Sequence, residues 1–94
     1  MPTYIVLGRL TPKAKQNSVE ARKARDKNWS DYEKLGLKIR AYSTLGRFDS
    51  VLILDAPTEE LLMKFLMAAG ATGNIETETL RAIPVEEADR FRSG

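Results

Sequence analysis

The chain has 94 residues, with fifteen Lys and Arg against thirteen Asp and Glu, and neither cysteine nor histidine. That length predicts one domain over 1–94, with a core large enough to fold alone. Without Cys there are no disulfides, thiolate nucleophiles or thiolate metal sites. Without His the usual general base near neutral pH and the commonest imidazole ligand are gone, so neither a metal nor a cofactor is expected. No apolar run approaches the length of a membrane span and no charged-then-apolar leader opens the chain, so a cytoplasmic protein away from membranes is expected.

The near-neutral balance hides an asymmetry. From Arg9 to Arg40 there are ten Lys and Arg against four acids, and from Ala41 onward five against nine. The basic excess falls mainly on the first helix and is interrupted by Glu20, Asp26, Asp31 and Glu33. A solvated helix face explains it more economically than a nucleic-acid patch.

The first strand is predicted from Thr3 to Leu10, with Tyr4 and Val6 on one side and Ile5 and Leu7 on the other. Thr11 to Gln16 reads as a polar connector in which Pro12 stops the strand. The first helix is expected to begin at Asn17 or Ser18, with Glu20 completing a capping box. Ala21, Ala24, Asn28, Tyr32 and Leu35 form a thin stripe toward the sheet, and Gly36 ends the helix. Trp29 falls off that stripe, as a peripheral packing residue or a partner anchor.

The second strand, Leu37 to Leu45, alternates Ile39 and Ala41 against Arg40 and Tyr42. A tight turn through Gly46 leads to Val51-Leu52-Ile53-Leu54, apolar on both faces and therefore expected to be covered on both. Thr58 caps the second helix, with Glu59 and Glu60 favourably placed at its positive end. Leu62, Leu66 and Ala69 are expected in the core, while Met63 and Met67 are left for another subunit or the tail. Gly70 and Gly73 end that helix. The fourth strand, Ile75 to Ile83, has the polarity of an edge and a phase that suggests a bulge. The tail, 84–94, is expected to form one or two helical turns with Val85, Ala88 and Phe91 inward.

The order β-α-β-β-α-β predicts an α+β, ferredoxin-like fold. Right-handed crossovers give a four-stranded antiparallel sheet with both helices on one face.

Four segments in order resemble the GYD domain family: Tyr4-Ile5-Val6-Leu7, Gly46-Arg47-Phe48-Asp49, Asp55-Ala56-Pro57, and Gly73-Asn74 leading to Thr77-Glu78-Thr79-Leu80-Arg81-Ala82. The resemblance implies the dimeric α+β barrel arrangement, in which the helix-free sheet faces of two subunits pack together around a cavity. There are two departures. Phe48 stands where the motif has tyrosine, so no role needing a phenol hydroxyl carries over. Ala14-Lys15 stands in a connector that often holds glycine.

Tyr4, Val6, Arg40, Tyr42, Leu52 and Leu54 are placed by alternation on the helix-free face, with Thr77, Thr79 and Arg81 joining them. Tyr4, Arg40, Tyr42, Thr79 and Arg81 are the candidate binders of a small, partly apolar organic ligand; a wet dimer interface accounts for the same residues. Asp49 is the one candidate catalytic residue, a general base at the cavity mouth if burial raises its pKa. Holding the turn through backbone hydrogen bonds, or pairing with Arg47 or Arg81, explains it more simply. The expected function is a ligand-binding domain that forms a homodimer or higher homo-oligomer through its sheet faces, with a cofactor-independent oxygenase or isomerase as the alternative. An RNA-recognition module shares the strand order but needs base-stacking aromatics on strand three, where Ser50 and Leu52 stand, so a nucleic-acid partner is not expected.

Overall fold

A computed structural model describes residues 1–92. Its elements are β1 (Thr3–Leu10), α1 (Pro12–Gln16), α2 (Ser18–Glu33), β2 (Lys38–Ser43), β3 (Ser50–Asp55), α3 (Glu59–Ala71), β4 (Ile75–Ala82) and α4 (Val85–Arg92). The sheet is antiparallel throughout, in the order β2-β3-β1-β4. This is the expected α+β, ferredoxin-like arrangement. The body is only 17 Å thick in its shortest dimension, which fits one sheet and one helix layer, with the opposite sheet face bare.

Local chemistry accounts for most boundaries. The Thr58 hydroxyl accepts from the Leu61 amide at 3.1 Å and starts α3 as expected. The segment after β1 is not a plain connector. Pro12 stands at the first helical position of α1, where its missing N–H costs nothing, and the Thr11 hydroxyl accepts from the Ala14 amide. Asn17 is therefore the joint between α1 and α2 rather than a side-chain cap; its side-chain amide donates back to the Lys13 carbonyl at 3.1 Å. Gly46 has φ 106° in the β2–β3 loop, a conformation that disfavours any side chain.

The core lies between the sheet and α3. Tyr4, Val6, Leu52 and Leu54 point toward the helices and pack with Leu37, Ala56, Leu62 and Phe65. Phe65, absent from the expected core, is 1% exposed and meets Tyr32 edge-on at 5.6 Å. Leu66 packs at the margin, and Met63 and Met67 are exposed as anticipated. By contrast α2 buries no residue completely, and Leu35 at the end of its expected stripe is exposed.

Two further expectations are corrected. Strand β4 pairs with β1 residue for residue from Thr3↔Ala82 to Leu10↔Ile75, without a bulge. The tail does form a helix, α4, but Val85 and Phe91 are each 68% exposed instead of packing inward. Residues 93 and 94 of that tail lie outside the described residues. Among the described residues no helix is long and apolar enough to cross a membrane.

Candidate functional site

The face assignments decide the site, and the strand register decides the faces. Residues paired across an antiparallel sheet share a face. Tyr4 pairs with Leu54 and Arg81, and Val6 with Leu52 and Thr79. Since Tyr4, Val6, Leu52 and Leu54 are core residues, Thr77, Thr79 and Arg81 lie on the helix side too. Arg40 pairs with Ile53 and Tyr42 with Val51, which places both on the open face.

The expected helix-free set is thus split between two faces. Tyr4 is buried among core side chains, with the Arg81 guanidinium 5.5 Å above its ring. Arg81 also donates to the backbone carbonyls of Thr3 and Ala82. On the opposite side, Arg40 donates to the Tyr42 hydroxyl at 2.9 Å. Two pairs are brought together, but the five residues do not converge on one pocket. The cause is a one-residue change of phase between β3 and β2: even-numbered residues of β3 face the helices, whereas odd-numbered residues of β2 do.

The open face is apolar at its centre, where Ile5, Leu7, Val51 and Ile53 are half-buried and Leu80 is exposed. The concavity is on the other side. Because α2 stands off the sheet, it leaves a cleft of about 600 Å³ between itself, α3 and the strands. Val6, Leu52, Phe65 and Leu66 give it an apolar floor. Ala21 and Ala24 of α2 are small enough to keep it open, and Asn28 and Trp29 of the same helix join the lining. The first part of the expected stripe of α2, Ala21, Ala24 and Asn28, therefore faces a cavity, whereas Tyr32 packs against the core.

Gly8 bears on the cleft through its neighbours. A Cβ there would sit 2.6 Å from Ser50 Oγ and 2.8 Å from Ile75 Cδ1, and both of those residues line the cleft. No sequence signal marks this glycine, because its backbone angles are ordinary; only the close approach of the neighbouring strands reveals its role.

Polar groups gather on the same lining. Lys15, Arg22 and Arg25 contribute cations and Asp49 a carboxylate. The Arg25 guanidinium lies 5.0 Å above the Trp29 ring and is bonded to Asp26 at 2.9 Å. Asp49 Oδ2 accepts from the Leu10 amide at 2.8 Å, and the Asp49 amide donates to the Gly8 carbonyl. It thus holds backbone as the simpler expectation had it, though the backbone is that of β1 rather than of its own turn. Phe48 beside it is flanked by Arg9 and Arg47, at 5.1 and 5.6 Å from the ring centroid.

Elsewhere on α2, Lys27 donates to Asp31 at 2.8 Å. That hydrogen bond holds the Asp31 carboxyl below its usual pKa and the Lys27 ammonium above its own. Among the described residues no group of three His, Cys, Asp or Glu side chains is placed to hold a metal ion.

The family model of the GYD domain matches residues 4–91. The chain belongs to the GYD domain family. The match spans nearly all of the structure, from the start of β1 to the end of α4. No curated protein matches the sequence.

Solved structures share the fold of this GYD domain. TTHA0845 from Thermus thermophilus superposes with a TM-score of 0.59 at 26% identity, over 89% of this chain and 95% of its own. A 5-chloro-2-hydroxyhydroquinone dehydrochlorinase from Burkholderia phenoliruptrix AC1100, solved with 2,5-dihydroxybenzoquinone, gives 0.64 at 17% identity, over 86% and 93%. The hypothetical protein PHS023 from Pyrococcus horikoshii gives 0.59 at 21%, over 89% and 92%.

Proposed function

We propose that this GYD domain binds a small, partly apolar organic molecule bearing an acidic group, in the cleft under α2, and that a second copy covers its open sheet face. The observation that carries the reading is the cleft itself. Its volume of about 600 Å³ falls in the range of small-molecule sites, which combine apolar walls with a few convergent polar groups. Lys15 and Arg22 supply charge for an anionic substituent, while Trp29 offers aromatic surface to a ring. The 2,5-dihydroxybenzoquinone bound to the dehydrochlorinase of similar fold is a ring compound of suitable size.

Trp29 is the single tryptophan of the chain, so its fluorescence reports on the cleft directly. Titration with hydroxylated aromatic acids should change that emission saturably, and native mass spectrometry should show one ligand per chain. Ala21→Phe, which fills the cleft, should abolish both signals while leaving the circular dichroism intact. Unchanged binding in that variant would remove the cleft from the proposal.

A second, enzymatic reading rests on Asp49, the carboxylate on the cleft lining. There it serves as the base for a proton abstraction in a cofactor-independent oxygenase or isomerase. Turnover of a bound ligand that persists in Asp49→Asn would eliminate it from that role.

A further inference from the structure

We infer that the ligand of the cleft is a hydroxy acid, with Lys15 and Arg22 holding its carboxylate and Asp49 accepting a hydrogen bond from its hydroxyl, so that Asp49 selects against acids that lack the donor. This rests on the reading that the cleft binds an acidic organic molecule, and it goes further by naming the second polar group and the residue that reads it.

The strand register gathers these three residues at one end of the cleft. Ser50, where β3 begins, pairs with both Gly8 and Ser43, and Leu10 at the end of β1 pairs with Ile75 at the start of β4. Asp49 immediately precedes β3 and is hydrogen-bonded to the Leu10 amide. From Leu10 the chain passes through Thr11 into α1, which carries Lys15, and then into α2, which carries Arg22 in its second turn. All three side chains line the cleft. From that end α2 runs toward the end of the sheet where β2 starts. Trp29 comes seven residues beyond Arg22, a rise of about 10 Å, so a ring directed along the apolar floor leads away from the charged end.

The other charges of α2 on either side of Arg22 are spent within the helix. Lys23 pairs with Glu20, Arg25 with Asp26 and Lys27 with Asp31, whereas Lys15 and Arg22 make no ion pair among the described residues. These two cations can take a carboxylate without breaking a contact within the protein. Asp49 decides what must accompany that carboxylate. An ionised carboxyl group only accepts hydrogen bonds, so two of them at one end of a cleft repel unless a donor stands between them. The bond from Leu10 uses Oδ2 of Asp49, and Oδ1 remains to accept. A hydroxyl on the ligand supplies the donor and replaces repulsion by a charge-assisted hydrogen bond. Sites built around such a bond reject the analogue that lacks the hydroxyl.

Titration calorimetry at fixed ionic strength, with hydroxybenzoates and hydroxynaphthoates set against the unsubstituted acids and the methyl ethers, tests this. At least one hydroxy acid should bind about tenfold more tightly than its methyl ether, which keeps the charge but not the donor. Asp49→Asn keeps an acceptor for the Leu10 amide and removes the charge. It should erase most of that preference and tighten binding of the unsubstituted acid; equal weakening of all three compounds would mean a purely structural role and overturn the inference. Arg22→Gln should weaken every acid severalfold and leave the corresponding hydroxy amide unchanged. Lys23→Gln, on the same helix but paired with Glu20, should change neither. Equal affinity of the parent chain for each hydroxy acid and its methyl ether would overturn the inference and leave the cleft standing as a ligand site. Binding of none of the acids would overturn both.

Discussion

The carboxylate of Asp49 accepts a hydrogen bond from the backbone N–H of Leu10, at 2.8 Å and 39 residues away along the chain. Together with the bond from the Asp49 amide to the Gly8 carbonyl, it fastens the β2–β3 loop to the far end of β1, beside the cleft. Hydrogen bonds to charged acceptors exceed neutral ones in strength, so Asp49→Ala should lose about 1–2 kcal/mol of stability. Asp49→Asn should lose less, because its amide oxygen still accepts. Urea denaturation midpoints at constant slope check both. An alanine variant as stable as the parent would mean that this bond contributes nothing.

Phe65 is the side chain on which the core turns. It is buried under the sheet and packed edge-on against Tyr32. Phe65→Ala should cost about 3–5 kcal/mol through lost burial and the cavity left behind. Against a total stability of about 5–15 kcal/mol for a domain, a large unfolded fraction is expected on mild heating. Thermal melts followed by circular dichroism measure it.

Gly8 should resist even the smallest enlargement. Its added Cβ would press on Ser50 Oγ and on the end of the Ile75 side chain. Both can yield by rotation, so Gly8→Ala should cost about 1–2 kcal/mol, within the usual range for overpacking. Gly8→Val should cost more and should also shorten the cleft. Weaker ligand binding out of proportion to the lost stability is the signature to look for.

The helix starts make a contrasting pair. Thr58→Ala removes the hydroxyl that accepts from the Leu61 amide and should destabilise by about 1 kcal/mol. Asn17→Ala should cost less than half of that, because Asn17 makes no side-chain cap to α2. Equal losses at the two positions would show that Asn17 caps α2 after all.

The βαββαβ order of the main elements, the ferredoxin-like fold and the Thr58 cap were legible in the sequence because each depends on local chemistry: alternation, helical spacing and turn residues; the short helix α1 was read as a connector. What alternation by itself left undetermined was which side of each strand meets the helices. Strands β1 and β3 are apolar on both faces, so their composition does not choose. The phase of β2 relative to β3 depends on how six loop residues, 44–49, close between Ser43 and Ser50. Hydrogen-bond register resolves this by pairing Arg40 with Ile53 and Tyr42 with Val51, and a single-residue shift in register transfers a whole strand to the other face. That is why Tyr4, Thr79 and Arg81 lie on the helix side while Arg40 and Tyr42 lie on the open one. The cleft was hidden for a related reason. Its volume comes from the distance at which α2 stands from the sheet, which spacing along the chain does not encode.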